Sequence, residues 1–506
     1  MRRSCGRLPG GRFGSGTFEC GTPFVLGASM AGEGTGTATD PRPLSPRGGA
    51  IAGEGTGTGR VRPEPVPVCR AAMLFVLIAA PGLLAQAPPA AEPVRAFVGA
   101  RILPVSGPEI AEGTIVVADG KIVAVGPRAS TPVPAGAETV DVAGQTIIPG
   151  LVCTHSHLGR GSGADSAGPI QPEADIYDAV NARHTGFERA VAGGLTCINV
   201  MPGSGHLISG QTIYLKLRGG DTIDDLAIVD AGGKRLGGLK MANGTNSQDD
   251  PPFPGTRAKS AALVRAKYIA AKEYAAKIAR AAGDPEKIPA RDLSLEPLVE
   301  AMAGTRVVHH HTHRHDDILT VLRIAEEFGF RVVLHHVSEA WKVADEIAAA
   351  GVPCSLILID SPGGKLEARD IDYRNGAILE AKGVKVAFHT DDWITDSRLF
   401  LRMAALAVRA GMTREGALRA LTLSGAEILD LGDRTGSLDV GKDADFAILS
   451  GDPFSVYTKV LETWVEGKRV FDRDDPEDLL YAEGGFGAGD DRVFTGCCID
   501  REEDSR

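Results

Sequence analysis

The chain has 506 residues, more than one domain of roughly 100–200 residues needs but enough for a barrel of about 250 with smaller parts attached. At 43% hydrophobic, 24% charged and 5% aromatic it has a globular composition and the length for a large buried core. The formal charge of −11 argues against nucleic acid as the main partner, and the eight cysteines form no disulfide framework.

Residues 1–72 are rich in Gly, Pro, Arg and Thr and carry nine Arg against five acids. They contain a direct repeat, Ala31-Gly32-Glu33-Gly34-Thr35-Gly36-Thr37, which recurs from Ala52 to Thr58. Such a stretch buries too little apolar surface to offset its ordering entropy. It reads as a disordered extension, or as an over-extended reading frame whose true start is Met73. From Met73 an apolar run extends to Leu84, and Ala85-Gln86-Ala87 follows at a cleavage-like spacing. This predicts a secretory signal peptide over 73–87. The run is shorter than the about 20 apolar residues of a membrane span. Export to a periplasm or to the medium follows if Met73 is the start; otherwise the chain is cytoplasmic.

Residues 94–148 read as short strands: Arg95 to Leu103, Gly113 to Val117 and Lys121 to Val125, with a turn at Asp119-Gly120. Residues 436–472 have the same character, with strands from Asp445 to Leu449 and from Val460 to Val470 and a turn signal at Glu466-Gly467. The two flanks are expected to form one small β-sandwich domain. Between them, residues 149–435 alternate strands with helices. The clearest strands are 194–200, 306–311, 331–336, 352–357 and 384–388; the clearest helices are 316–328 and 343–350. That alternation predicts parallel strands with crossover helices, an α/β fold of the (β/α)₈ TIM-barrel type. Residues 256–282 form a long Ala/Lys/Arg-rich helix, read as a solvated insertion. Residues 473–506 form an acidic tail that wraps the surface or is disordered.

The chemistry begins at Pro149-Gly150-Leu151-Val152-Cys153-Thr154-His155-Ser156-His157. Residues two apart on a strand share a face, so His155 and His157 present two imidazoles side by side. Neutral imidazoles that converge are a good start to a metal site. The plainer reading is a His pair on an exposed strand end. Further candidates stand at or near predicted strand ends: Lys240, the run His309-His310-His311-Thr312-His313, the pair His335-His336, and His389-Thr390-Asp391-Asp392.

Together these motifs resemble the metal-dependent amidohydrolase superfamily, most of all its imidazolonepropionase-like and prolidase-like members. The resemblance covers roughly residues 94–472. It includes the closing run Gly436-Ser437-Leu438-Asp439-Val440-Gly441-Lys442-Asp443-Ala444-Asp445-Phe446. It implies one or two divalent metal ions, zinc favoured, held by His155, His157, Lys240, His311, His336 and Asp391. Lys240 matches a lysine whose carboxylated amine bridges two metals; the competing reading is a surface or structural lysine. Asp391 matches a ligand that also takes a proton from the attacking water. His311 is taken as the strand-five ligand, with His313 as the alternative. His336 is taken to face the site and His335 the helix layer. His389 either supports a ligand or packs in the core. The family usually has Asp or Asn where this chain has Cys153. On strand alternation Cys153 points inward beneath the metals, either as a zinc thiolate or as a plain buried thiol.

The implied activity is hydrolysis of an amide, peptide or cyclic amide C–N bond by a metal-activated water, on a small-molecule or peptide substrate. A deaminase or C–O hydrolase on the same fold, or an inactive relative kept for binding, is the alternative. The loop Pro202-Gly203-Ser204-Gly205-His206 and the residues Arg314, Glu339 and Trp341 are candidate pocket positions. The family's habit of oligomerising implies assembly into a homo-oligomer.

Overall fold

The computed structural model describes residues 93–484, apart from 161–164, 166, 359–364 and 393. The extension over 1–72, the signal peptide over 73–87 and the tail beyond 484 therefore lie outside the described residues. The described start of the expected 473–506 tail carries a short helix, Pro476–Glu483, capped by the Asp475 side chain. Among the described residues no helix is long and apolar enough to cross a membrane.

Both flanking segments enter one eight-stranded sheet. Its spatial order is Lys468–Asp472, Val460–Val465, Phe446–Leu449, Thr146–Pro149, Arg95–Ile102, Ile110–Ala118 and Lys121–Pro127, with Glu138–Asp141 paired beside Arg95–Ile102. Hydrogen bonding thus joins the strands into a single sheet rather than two separate ones. The expected turns fall at positive φ, at Asp119-Gly120 and at Glu466-Gly467. The second of these splits the run read as one strand over 460–470. The sheet's core is aromatic: the Phe97 ring centroid lies 4.9 Å from those of Phe446 and Trp464.

The middle segment supplies the strands that position the site. They are β1 (Leu151–Ser156), β2 (Leu195–Val200), β3 (Ile208–Gln211, running on through Thr212 as Ile213–Lys216), β4 (Leu239–Ala242), β5 (Val308–Thr312), β6 (Val332–His336), β7 (Cys354–Leu356) and β8 (Val386–Phe388). The strands from β4 to β8 pair in sequence, all parallel. β1 pairs parallel with β2. The segment after β8 returns to β1: Asp391 N–H donates to His155 O and His157 N–H to Asp392 O, both at 3.1 Å. The fold is TIM-barrel-like α/β. It departs from the all-parallel expectation at β3, which runs antiparallel to β2 and to β4. The reason is local. Only seven residues separate β2 from β3, too few for a crossover helix.

Close approach fixes the junction between the two parts. A Cβ on Gly150 would lie 2.2 Å from Thr196 Oγ1, so only glycine fits between the sheet and β1. The long helix Arg257–Ala281 is not solvated all round. It buries Val264, Tyr268, Ala271 and Tyr274 along one stripe, with Tyr268 stacked 4.9 Å from Phe330.

Candidate metal centre

β1 delivers the first imidazoles. Thr154 faces the barrel interior, its Oγ1 2.5 Å from Ser355 Oγ of β7. The β1–β2 register then slips between Cys153 and Ser156. That slip brings His155 inward as well, its ring centroid 5.0 Å from His157 and from His335 and 4.9 Å from His336 and His389. Cys153 consequently does not point beneath the site. It packs in the same core cluster as Leu151 and Ile198, with Sγ 3.3 Å from Thr390 Oγ1. Burial pushes its thiol up to about 11, and that of Cys197 up to about 12. Both thiols are expected to resist a maleimide until the chain unfolds; modification of either in the native protein would contradict this burial.

Lys240, on β4, is completely buried rather than at the surface. Its Nζ lies 3.0 Å from His155 Nε2 and 3.1 Å from Met201 Sδ. Burial pushes the ammonium down to about 7 against the opposing charge of Asp391, so a large share is neutral near pH 7. The neutral amine is the form that ligates or takes up carbon dioxide.

β5 sends His309 and His311 to the interior. His309 bridges Tyr214 OH and His335 Nε2, at 3.0 Å each. His311 sits within the strand, its ring centroid 4.3 Å from His336 and 4.7 Å from His313. His313 lies just past the strand end, with Nδ1 2.8 Å from Ser338 Oγ. His310 faces the other way and bonds the His311 carbonyl at 3.0 Å.

β6 corrects the expectation for its two histidines. His335 does not pack against the helix layer; its register with His311 puts it inside, beside His155. Alternation alone would then send His336 outward. Its φ of +69°, followed by +41° at Val337, turns the chain so that the His336 ring also joins the cluster. His389 holds it there: Nε2 is 3.1 Å from His336 Nδ1, and Nδ1 is 2.7 Å from Ser355 Oγ. His389 thus supports a neighbouring imidazole rather than merely filling the core.

Asp391 follows β8, also in the left-handed region at φ +50°. Its Oδ1 lies 3.0 Å from His157 Nε2 and 3.3 Å from His155 Nε2, and its Oδ2 lies 3.9 Å from His336 Nδ1. Burial would raise this carboxyl, but contact with His157 together with the charges of its His157, His389 and Lys240 neighbours holds the group well below the usual carboxylate range. Asp392 is turned away and accepts from Ser397 N–H at 3.0 Å. Of the pair, only Asp391 addresses the cluster.

The donor set fits a divalent cation. Ligand atoms of His155, His336 and Asp391 all lie within 4.8 Å of one another. His157 Nδ1 donates to the Met201 carbonyl at 2.8 Å, which fixes the ring with Nε2 toward Asp391. Buried ring nitrogens on His155, His311, His313, His335 and His336 find no hydrogen-bond partner. Burial pushes His155, His311, His335 and His336 well down, so these rings are neutral. A knot of neutral imidazoles around an ionised carboxylate is under-protonated, and a cation satisfies it. Sequence reading missed one member of this region. Glu367 follows β7 in a short turn of 3₁₀ helix and is buried close to His311 and His313. It belongs to no motif or periodic pattern that would have marked it.

The proposed pocket positions are largely engaged within the protein. Arg314 pairs with Asp316 at 2.9 Å, and Glu339 with His315 and Lys342 at 2.6 and 2.9 Å. Trp341 Nε1 donates to the Asp370 carbonyl, and His206 Nε2 lies 2.6 Å from the Asp165 carbonyl.

Fold and site together define a class: barrel-like α/β proteins with a histidine-rich centre at the strand ends. An amidohydrolase family model matches residues 336–471. A solved amidohydrolase from Thermotoga maritima MSB8 superposes with a TM-score of 0.69 at 31% identity, over 75% of this chain and all of that one. An imidazolonepropionase from Acidiphilium cryptum is 27% identical over 367 residues, 67% of this chain and 87% of the relative. Amidohydrolase tasK of Hapsidospora irregularis is 24% identical over 392 residues, 71% of this chain. The match spans only 40% of the length of that larger protein. The chain belongs to the amidohydrolase family, a family of hydrolases.

Proposed function

We propose that this chain is a metal-dependent hydrolase of amide, peptide or cyclic amide C–N bonds in small molecules. His155, His157, Lys240, His311, His336 and Asp391 would hold one or two divalent ions, with zinc favoured by the imidazole-rich donor set. In this reading residues 149–435 are the metal-binding barrel, and 94–148 with 436–472 are the small β domain that braces it. The observation that carries the proposal is the convergence of the His155, His157 and His336 rings on the ionised Asp391, within a buried cluster that leaves several other ring nitrogens without a partner.

A bound divalent cation would acidify a water toward a pKa of about 7 and polarise the scissile carbonyl. The chain's own groups do the rest. Met201 O and His389 fix the rings of His157 and His336. Asp391 is placed to accept a proton from the attacking water and pass it to the leaving nitrogen as the C–N bond breaks. The proton taken up is the one given back, so the carboxylate is regenerated.

The test is dialysis against a chelator, followed by return of zinc or manganese, with a panel of dipeptides and cyclic amides. Hydrolysis should vanish on dialysis and return with metal, and the melting temperature should fall and recover with it. A well-folded chain that takes up no metal would overturn the proposal and favour a binding protein.

A further inference from the structure

His313 and Glu367 are buried polar residues with no part in the proposed reaction. Both lie beside His311. The ligand atoms of His311, His313 and Glu367 all fall within 4.8 Å of one another. The three residues are 1%, 3% and 6% exposed. Neither ring nitrogen of His311 has a partner, nor does Nε2 of His313 or Oε1 of Glu367. No hydrogen bond links the three. Ligands on a shell of about 2.1 Å stand roughly 3.4 Å apart, so small side-chain shifts would close the group on one ion.

His313 and Glu367 are each anchored on the side away from the open atoms. Ser338 Oγ is 2.8 Å from Nδ1 of His313, leaving Nε2 as the open atom. Glu367 Oε2 accepts from Thr245 N–H at 2.8 Å and from Arg257 at 3.3 Å. Arg257 is in turn fixed to Asp317 at 2.8 and 3.0 Å. Gly244, at φ +75°, admits the carboxylate: a Cβ there would lie 2.6 Å from Glu367 Oε2. An oriented first set of donors with a supporting second set is the construction of a metal site.

We propose that His311, His313 and Glu367 form a divalent-cation position of their own, beside the one built on His155, His336 and Asp391. Two imidazoles and one carboxylate suit zinc, cobalt or manganese. The His311 and His336 rings, 4.3 Å apart, mark where the two positions adjoin. The inference rests on the metalloenzyme reading in one respect, that His311 is shared with that centre. It differs in giving the second ion His313 and Glu367, which the family resemblance does not supply.

The test is metal stoichiometry of the full chain, by mass spectrometry after saturation with zinc and removal of excess. Wild type should hold two equivalents. Glu367→Gln, which keeps the shape and still accepts from Thr245, should hold one, and so should His313→Asn. Asp391→Asn should lose the other equivalent. Titration of cobalt into the metal-free wild type needs no variant and should show two binding events. The proposal fails if Glu367→Gln and His313→Asn hold as much metal as wild type, or if wild type shows one binding event that Asp391→Asn abolishes. That second outcome would leave the first centre standing. No binding at all would sink both readings together.

Discussion

Replacing Asp391 with Asn is expected to lower kcat by roughly 10²–10⁴-fold on any amide the protein hydrolyses, the range associated with loss of a positioned acid–base group. The fold should survive, because Asn tolerates the left-handed φ of +50° at this position better than most residues. What disappears is charge. His157 Nε2, 3.0 Å from Oδ1, would face a neutral amide in place of an ionised carboxylate. The cluster would then hold neutral imidazoles with no anion to balance a cation, so metal content should drop along with turnover. Steady-state kinetics beside metal analysis and circular dichroism would check this. Activity within tenfold of wild type would remove Asp391 from the chemistry. A loss of activity with full metal content would keep it as the base but not as a ligand.

Much of this centre was legible because its chemistry is written in spacing. His155-x-His157, the isolated Lys240 and the Asp391 after a strand all carry their meaning locally, and the structure gathers them into one cluster. What was not legible depends on departures from regular geometry. A register slip in β1 turned Cys153 out while bringing His155 in. A left-handed residue at the end of β6 brought in His336 beside His335, where alternation allowed only one of them. β3 escaped because Ile208 to Lys216 follows β2 without a helix, whereas the expected pattern required a crossover. Glu367 has no periodic context, so only its tertiary contacts with Thr245 and Arg257 reveal it.

Lys216 is the other residue whose role shows only in three dimensions, and its loss should cost more stability than any substitution considered above. It stands at the end of β3, 1% exposed, with Nζ 2.7 Å from Asp443 Oδ2 and in direct contact with Asp445. Both aspartates belong to the closing run that leads into strand Phe446–Leu449, so the triad ties the barrel-like part to the eight-stranded sheet. The remaining oxygens are served: Thr435 Oγ1 and Glu466 N–H donate to Asp445, and Lys121 pairs with Asp443 Oδ1 at 2.6 Å. Lys216→Met keeps the length of the side chain and removes the cation, leaving two buried carboxylates without their shared partner. Breaking a buried pair in this way costs about 3–5 kcal/mol. The melting temperature should fall by roughly 5–15 °C, taking a few degrees per kcal/mol for a chain of this size. The deficit should depend on pH. Burial opposes ionisation of Asp443, but the charge of Lys216 leads the effects that hold its carboxyl below the ordinary value. A depressed carboxyl gives stability that is present above the unfolded pKa, near 4, and is lost as pH falls through the folded one. The gap between wild type and Lys216→Met should therefore be widest near pH 7 and narrow on acidification below about pH 4. Adding Asp445→Asn to Lys216→Met removes one stranded charge and leaves Asp443 to Lys121. The double variant should be more stable than Lys216→Met alone. If the second substitution instead deepens the loss by its full independent cost, the two residues are not coupled, and the triad is not what holds the junction together.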